Sequence, residues 1–258
     1  MESFIQEITD HSEINREELF MRNFQLTKPE LDSMVFFGMI DINQDHSLLR
    51  ERLDNIHHLK FESFIKNKLA HLQHKYRVDK PIQLEVFLLD DNDEFVKEKL
   101  GGVSAFTEWN GRICFVVLPE EQIRHTLHSV ITHEFHHHWR MNSLHINEEN
   151  ETLLDRMILE GLAEHFVEKE LGSHFLGPYK DALIESQAKH FWRETYRYHI
   201  HEKGDGCNPF MFGNAERQLP FWGGYSIGYY LVKWYVEKNK SISIEELTIL
   251  PSEQFIVD

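Results

Sequence analysis

Residues 127–139 read Leu127-His128-Ser129-Val130-Ile131-Thr132-His133-Glu134-Phe135-His136-His137-His138-Trp139. Side chains four apart on a helix share a face. His133 and His137 therefore present two imidazoles to one point and can bind one Zn²⁺ between them. Glu134 stands beside that point, facing a water that such an ion would acidify. It reads as the general base for attack on a carbonyl. No Asp, Glu, Lys or Arg interrupts Leu127 to His133, so the helix suits a buried position. The string alone is modest evidence, because the chain holds 18 histidines. At that frequency, chance alone yields HExxH in about one such chain in seven.

The context supplies more. A catalytic zinc site takes a third protein ligand and keeps one position open. The next apolar segment, Ile158-Leu159-Glu160-Gly161-Leu162-Ala163-Glu164-His165-Phe166, places two acids one turn apart. Glu160 is assigned as the third ligand, with Glu164 accepting the free ring N–H of a ligand histidine. The reverse allocation uses the same face and stays open at this point. Gly161 and Ala163 are small, which lets this helix approach the HExxH helix closely. Tyr225 follows Gly223-Gly224 at the head of the last long helix. There it can project into a cleft and stabilise an oxyanion, or it can be a packing aromatic with Tyr229 and Tyr230.

Working outward, Arg112–Leu118 (RICFVVL) is the best strand in the chain, ended by Pro119. It is either an edge strand that could pair with an extended peptide or an internal core strand. Ile82–Leu89 and Val103–Phe106 also have strand character, with Gly101-Gly102 between them. Helices are expected over about Glu120–Asn142, Asn150–Leu171, Tyr179–Tyr198 and Gly224–Lys238. Lys203–Pro209 reads as a polar loop, and Ser243 with Glu246 as a capping box. Leu48–Tyr76 has the spacing of one long amphipathic helix. Its His57, His58, His71 and His74 lack a supporting carboxylate pattern and read as surface residues. His136 and His138 point about 100° away from His137 on either side and read as packing or solvent residues. His125, His128, His165, His199 and His201 are weaker candidates; one of the last two could stand in for Tyr225. The plan is α+β and mostly helical. Residues 1–78 form an N-terminal helical region, and 79–258 a catalytic core with a small sheet.

Composition narrows the partners. Of 258 residues, 41% are hydrophobic, enough for a substantial core. Asp and Glu number 43 against 27 Lys and Arg, a net charge of -16. That charge argues against nucleic acid and anionic membranes and against strongly acidic substrates. No apolar run is long enough to span a bilayer, and the amino terminus lacks the pattern of a secretory signal. Cys114 and Cys207 are too few and too far apart for a disulfide framework. A cytoplasmic location is therefore expected. No phosphate-cradling glycine motif and no Ser-His-Asp signature is present.

The three strings HEFHH, LEGLAE and GYSIG together resemble thermolysin-type zinc peptidases whose third ligand is a glutamate on a following helix. LEGLAE is similar to the NEGFA segment of M1-type aminopeptidases. That resemblance implies that Glu160 binds zinc and Glu164 orients a ligand histidine. Tyr225-Ser226-Ile227-Gly228 is similar to their YxxG stretch, which implies a transition-state role for Tyr225. The GxMEN motif that grips a substrate amino terminus in those enzymes is absent; Gly101–Ala105 lies in a comparable place without an acid. From about residue 80 to 250 the chain resembles the YjaZ-type family of Bacillus and its relatives, predicted Zn-dependent proteases with a zincin-like core. The resemblance implies a zinc peptidase with a peptide or protein substrate. The competing expectation is a non-catalytic, zinc-binding regulator or chaperone-like protein on the same fold.

Overall fold

The computed structural model describes residues 1–11 and 13–256. Its elements, in chain order, are α1 (Glu2–Asp10), α2 (Arg16–Phe24), α3 (Lys28–Phe36), α4 (His46–Leu59), α5 (Phe61–Tyr76), β1 (Gln83–Leu88), α6 (Glu94–Lys99), β2 (Val103–Thr107), β3 (Arg112–Val117), α7 (Arg124–Leu144), α8 (Leu153–Leu171), α9 (Glu185–Glu194), α10 (Asn208–Phe212), α11 (Gly223–Lys238) and α12 (Ile244–Ile249). This is the mostly helical α+β plan that the patterning predicts.

The sheet has the order β1-β3-β2, with β1 parallel and β2 antiparallel to β3. β3 is central and all six of its residues are buried. The edge-strand reading of Arg112–Leu118 is therefore replaced by the internal one. Its unbroken apolar run is the signature of a strand covered on both faces. The edge beside α7 belongs to β2.

The single long helix expected over Leu48–Tyr76 is two helices, α4 and α5, joined at Lys60 in the left-handed region (φ 56°). A tertiary partner fixes the break. Arg124 donates to the Leu59 carbonyl at 3.0 Å, and its guanidinium lies over the rings of Phe61 and Phe64. His57, His58, His71 and His74 are exposed on these helices, as their lack of partners in the sequence suggested.

The helix expected over Tyr179–Tyr198 is likewise divided. A 3₁₀ turn covers Pro178–Ala182, α9 covers Glu185–Glu194, and a second 3₁₀ turn covers Tyr196–Tyr198. The buried Ser226 hydroxyl of α11 accepts from the Leu183 N–H at 3.2 Å and donates to the Lys180 carbonyl at 2.9 Å. These bonds take the backbone groups that a continuous helix would need. The polar loop Lys203–Pro209 is a 3₁₀ turn, Gly204–Cys207, running into α10.

α7 is the axis of the molecule. β2 and α5 flank it, α8 packs along it, and α11 packs along the far side of α8. Gly161 of α8 faces α11, not α7: a Cβ there would lie 2.3 Å from the Gly228 carbonyl oxygen. The small residue permits a close helix contact as expected, but with a different partner. Cys114 and Cys207 are buried and free. No helix among the described residues is long and apolar enough to cross a membrane.

α8 starts on a capping box in which Thr152 and Asp155 satisfy each other's backbone N–H groups. Thr152→Ala should cost about 1 kcal/mol, read as a lower urea midpoint at an unchanged slope. No loss of stability would show that the helix start is held elsewhere.

Candidate metal centre

Thr132 to Met141 of α7 are all buried, although seven of those ten residues are polar or charged. Each buried polar group needs a partner, and those partners come from four directions. His136 Nε2 lies 3.2 Å from Thr248 Oγ1, and His138 Nε2 lies 3.3 Å from the Lys80 carbonyl. Both flanking histidines are thus packing residues. Arg140 is fully buried and donates to the carbonyls of Thr248 and Leu250 at 2.8 and 2.9 Å, closing the end of α12. Glu134 Oε2 accepts from the Thr107 hydroxyl at 2.7 Å, and the same hydroxyl lies 3.2 Å from the Glu134 carbonyl. The end of β2 therefore holds the head of the Glu134 side chain.

His133 and His137 meet edge to face, with ring centroids 4.5 Å apart. α8 lays two carboxylates against them. Glu160 Oε2 is 3.0 Å from His133 Nε2 and 3.6 Å from His137 Nε2. Glu164 Oε1 is 2.9 Å from His133 Nδ1, on the other side of the ring. Glu164 Oε2 accepts from the Gly177 N–H at 2.7 Å, so both of its oxygens are engaged. One donor atom from each of His133, His137 and Glu160 lies within 4.8 Å of the others, the separation that one shared ion requires.

The donor set fits zinc: two neutral imidazoles and one carboxylate, with the remaining ring nitrogen of His133 held by a second carboxylate. His137 gives a further test. Its Nδ1 is buried without a partner, and its Nε2 reaches Glu160 only at 3.6 Å. Nε2 therefore lacks a close protein partner, and an ion there would supply one, while Nδ1 stays without a protein partner in either case. Without an ion, burial lowers the His133 pKa, but the hydrogen bonds to Glu160 and Glu164 outweigh it and raise the pKa well above the ordinary value. Burial alone would raise the Glu160 pKa, but the neighbouring His137 and His133 hold it far below the carboxylate range.

Two tyrosines stand over the cluster. Tyr225, in the first turn of α11, packs against Tyr179 with centroids 5.2 Å apart; Tyr179 in turn lies 6.2 Å from the His133 ring. Burial, then the charges of Glu160, Tyr179 and Glu134, push the Tyr225 pKa well above its usual value. Burial and the charges of Glu164, Glu160 and Glu134 do the same to Tyr179. His165 stacks on Tyr229 at 4.6 Å and reaches the Tyr229 carbonyl, so it is a packing residue. His199 pairs with Glu202 beside the start of α8. Glu160 lies roughly 10 Å further along that helix.

Thr107, Gly177 and Tyr179 were not anticipated. Gly177 is glycine for a reason of space: a Cβ there would sit 2.2 Å from the Tyr179 ring. The signal in the sequence is the Gly177-Pro178 pair, a turn former between the helices expected to end at Leu171 and to begin at Tyr179.

Residues 61–257 match the family described as Predicted Zn-dependent protease (DUF2268). The chain belongs to this family. Two proteins of Bacillus subtilis (strain 168) are similar to it. Uncharacterized protein YjaZ is 24% identical over 227 residues, 85% of each chain. Uncharacterized protein YjfC is 26% identical over 186 residues, 69% of this chain and 60% of that protein. No solved structure matches the chain. The matched segment of this predicted Zn-dependent protease family takes in α7, α8 and α11, and so the whole of the candidate centre.

Proposed function

We propose that the protein is a zinc-dependent peptidase, with His133, His137 and Glu160 as ligands, Glu134 as general base and Tyr225 as oxyanion donor. The observation that carries this reading is the convergence of those three donors beside a carboxylate that is not itself a donor. Ligation alone has no need of Glu134 or of the Thr107 hydroxyl that orients it, which favours catalysis over a metal-binding regulator. In this reading residues 79–258 are the catalytic core and 1–78 a helical lobe packed upon it.

Zinc, when bound, supplies a Lewis acid that acidifies a water and polarises the scissile carbonyl. The chain does the rest. Glu134 accepts the proton of the attacking water and returns it to the leaving amine. Thr107 keeps the carboxylate in one rotamer for both transfers. Glu164 takes the Nδ1–H of His133 and so leaves Nε2 as the donor. Tyr225, kept protonated by burial and nearby carboxylates, donates its O–H to the oxygen that gains charge.

The test is cleavage of a peptide library by zinc-loaded, untagged protein, with zinc quantified per chain. Hydrolysis that a chelator removes and zinc restores is expected. A fully loaded protein that cuts no peptide would refute the peptidase reading. Glu164→Gln should weaken zinc about 10–100-fold, measured by competition with a chromophoric chelator. Unchanged affinity would remove Glu164 from its supporting role.

A further inference from the structure

The two tyrosines over the candidate centre are the inner ends of two aromatic arms that reach the surface. One arm runs from Tyr225 to Phe212 at 5.8 Å and on to Phe36 at 6.4 Å. The other runs from Tyr179 to Trp222 at 5.4 Å and on to Phe95 at 5.8 Å. Phe221 flanks the second arm, 4.5 Å from Trp222 and 6.2 Å from Phe95. Exposure rises outward, from the half-buried tyrosines to 38% at Phe212 and 72% at Phe36, and to 46% at Phe95 and 54% at Phe221.

Large exposed aromatics joined in a strip are not what a freely solvated surface carries. These rings come from α3, α6, the Pro178–Ala182 turn, α10 and the segment 221–225 that opens α11, yet both strips lead to one place. Trp222 is held in the left-handed region (φ 54°) immediately before α11, a conformation that an indole side chain rarely adopts. That geometry puts its ring between Tyr179 and Phe95.

Resting on the peptidase reading above, we propose that these arms are the side-chain sites for substrate. The enzyme then selects extended, non-acidic peptide segments with large apolar residues beside the cleaved bond. The shape and charge of this face select its occupant. The outer parts of the arms lie side by side, because Gly213 next to Phe212 sits against the Phe221 backbone and Gly38 near Phe36 sits against Val96 next to Phe95, so the rings form one apolar face for side chains beside the reacting bond. Neutral rings on a chain of net charge -16 suit a neutral or basic segment. The inner rings are half-buried beside the His133 ring, a depth that an extended or unfolded segment reaches and a folded domain does not.

The test uses the full zinc-loaded chain and two peptides of equal length and net charge. One carries Phe and Leu at alternate positions; the other carries Ser and Gly there. The variants are Phe36→Ser with Phe212→Ser for one arm, and Phe95→Ser with Phe221→Ser for the other. Should either pair unfold, Phe36→Ser and Phe221→Ser alone, at the most exposed positions, serve instead. Each arm variant should lower kcat/KM for the apolar peptide about 10-fold or more relative to the Ser/Gly peptide. Equal cutting of both peptides by the parent, or arm variants that process the apolar peptide as the parent does, would overturn the inference and leave the peptidase reading intact. If neither peptide is cut, the peptidase reading fails, and calorimetric affinity decides the arms alone. Preference for the apolar peptide that the arm variants lose supports them, and equal affinity rejects them. A parent dimer that the arm variants convert to monomer would assign the strips to a second copy and overturn the inference.

Discussion

Glu134→Gln should retain one zinc per chain and lose about 10²–10⁴-fold in kcat. The substitution removes basicity and little else. The amide is isosteric with the carboxylate and can still accept from the Thr107 hydroxyl through its remaining oxygen. Glu134 is outside the group of donors formed by His133, His137 and Glu160, so metal affinity should not change. KM should also hold, because the lost interaction operates in the transition state and not in the ground state. Stability should not fall, since the side chain is 5% exposed and the change removes a buried charge. The measurements are zinc content, thermal midpoint and turnover on one cleaved peptide. A variant that loses zinc would make Glu134 a structural element of the centre. A variant with parental turnover would mean that another group takes the proton.

Much of this centre was legible because it lies on two helices with strong local patterns. The His133–His137 spacing fixes a face, and Glu160 and Glu164 fix a second face one turn long. The burial of α7 and α8 follows from their apolar flanks. The central strand was legible as a strand from its six-residue apolar run, but not as central. Its place depends on pairing with β1, some thirty residues earlier. Other features escaped for related reasons. Lys60 carries no turn signature, and it takes the left-handed conformation because Arg124, distant in sequence, claims the adjoining carbonyl. Thr107 and Tyr179 enter the site from a strand end and a turn, and their residue types are common in either setting. Gly161 announced a close helix contact, but a lone glycine cannot say which helix comes close. The local period was readable, and the identity of the neighbour was not.

That neighbour is the basis of the largest stability effect expected here. Gly161 of α8 and Gly228 of α11 interlock. A Cβ on Gly228 would lie 1.9 Å from the Met157 carbonyl oxygen, and one on Gly161 would lie 2.3 Å from the Gly228 oxygen. Two effects oppose each other in Gly228→Ala. Alanine favours the helix by about 1 kcal/mol over glycine. Against that, the obstructing atom is backbone on a buried helix and cannot rotate away, so the helices must part. Parting them loosens the packing of Met157, Ile158, Leu162, Ile227 and Leu231, all buried at or near this contact. Overpacking with a cavity penalty outweighs the propensity gain, for a net loss of about 3–5 kcal/mol. At roughly 2–4 °C per kcal/mol for a chain of this size, the thermal midpoint should drop on the order of 10 °C. The same separation moves Tyr225 on α11 away from Glu160 on α8, so turnover should fall even at temperatures where the variant stays folded. Gly206→Ala is the control: the nearest atom to a Cβ there is the carboxylate end of Glu202 at 3.1 Å, a flexible side chain that can swing aside. If Gly228→Ala melts at or above the parent temperature, propensity has won. The two helices would then not be in backbone contact, and the spacing between Tyr225 and Glu160 would have to be set by some other part of the fold.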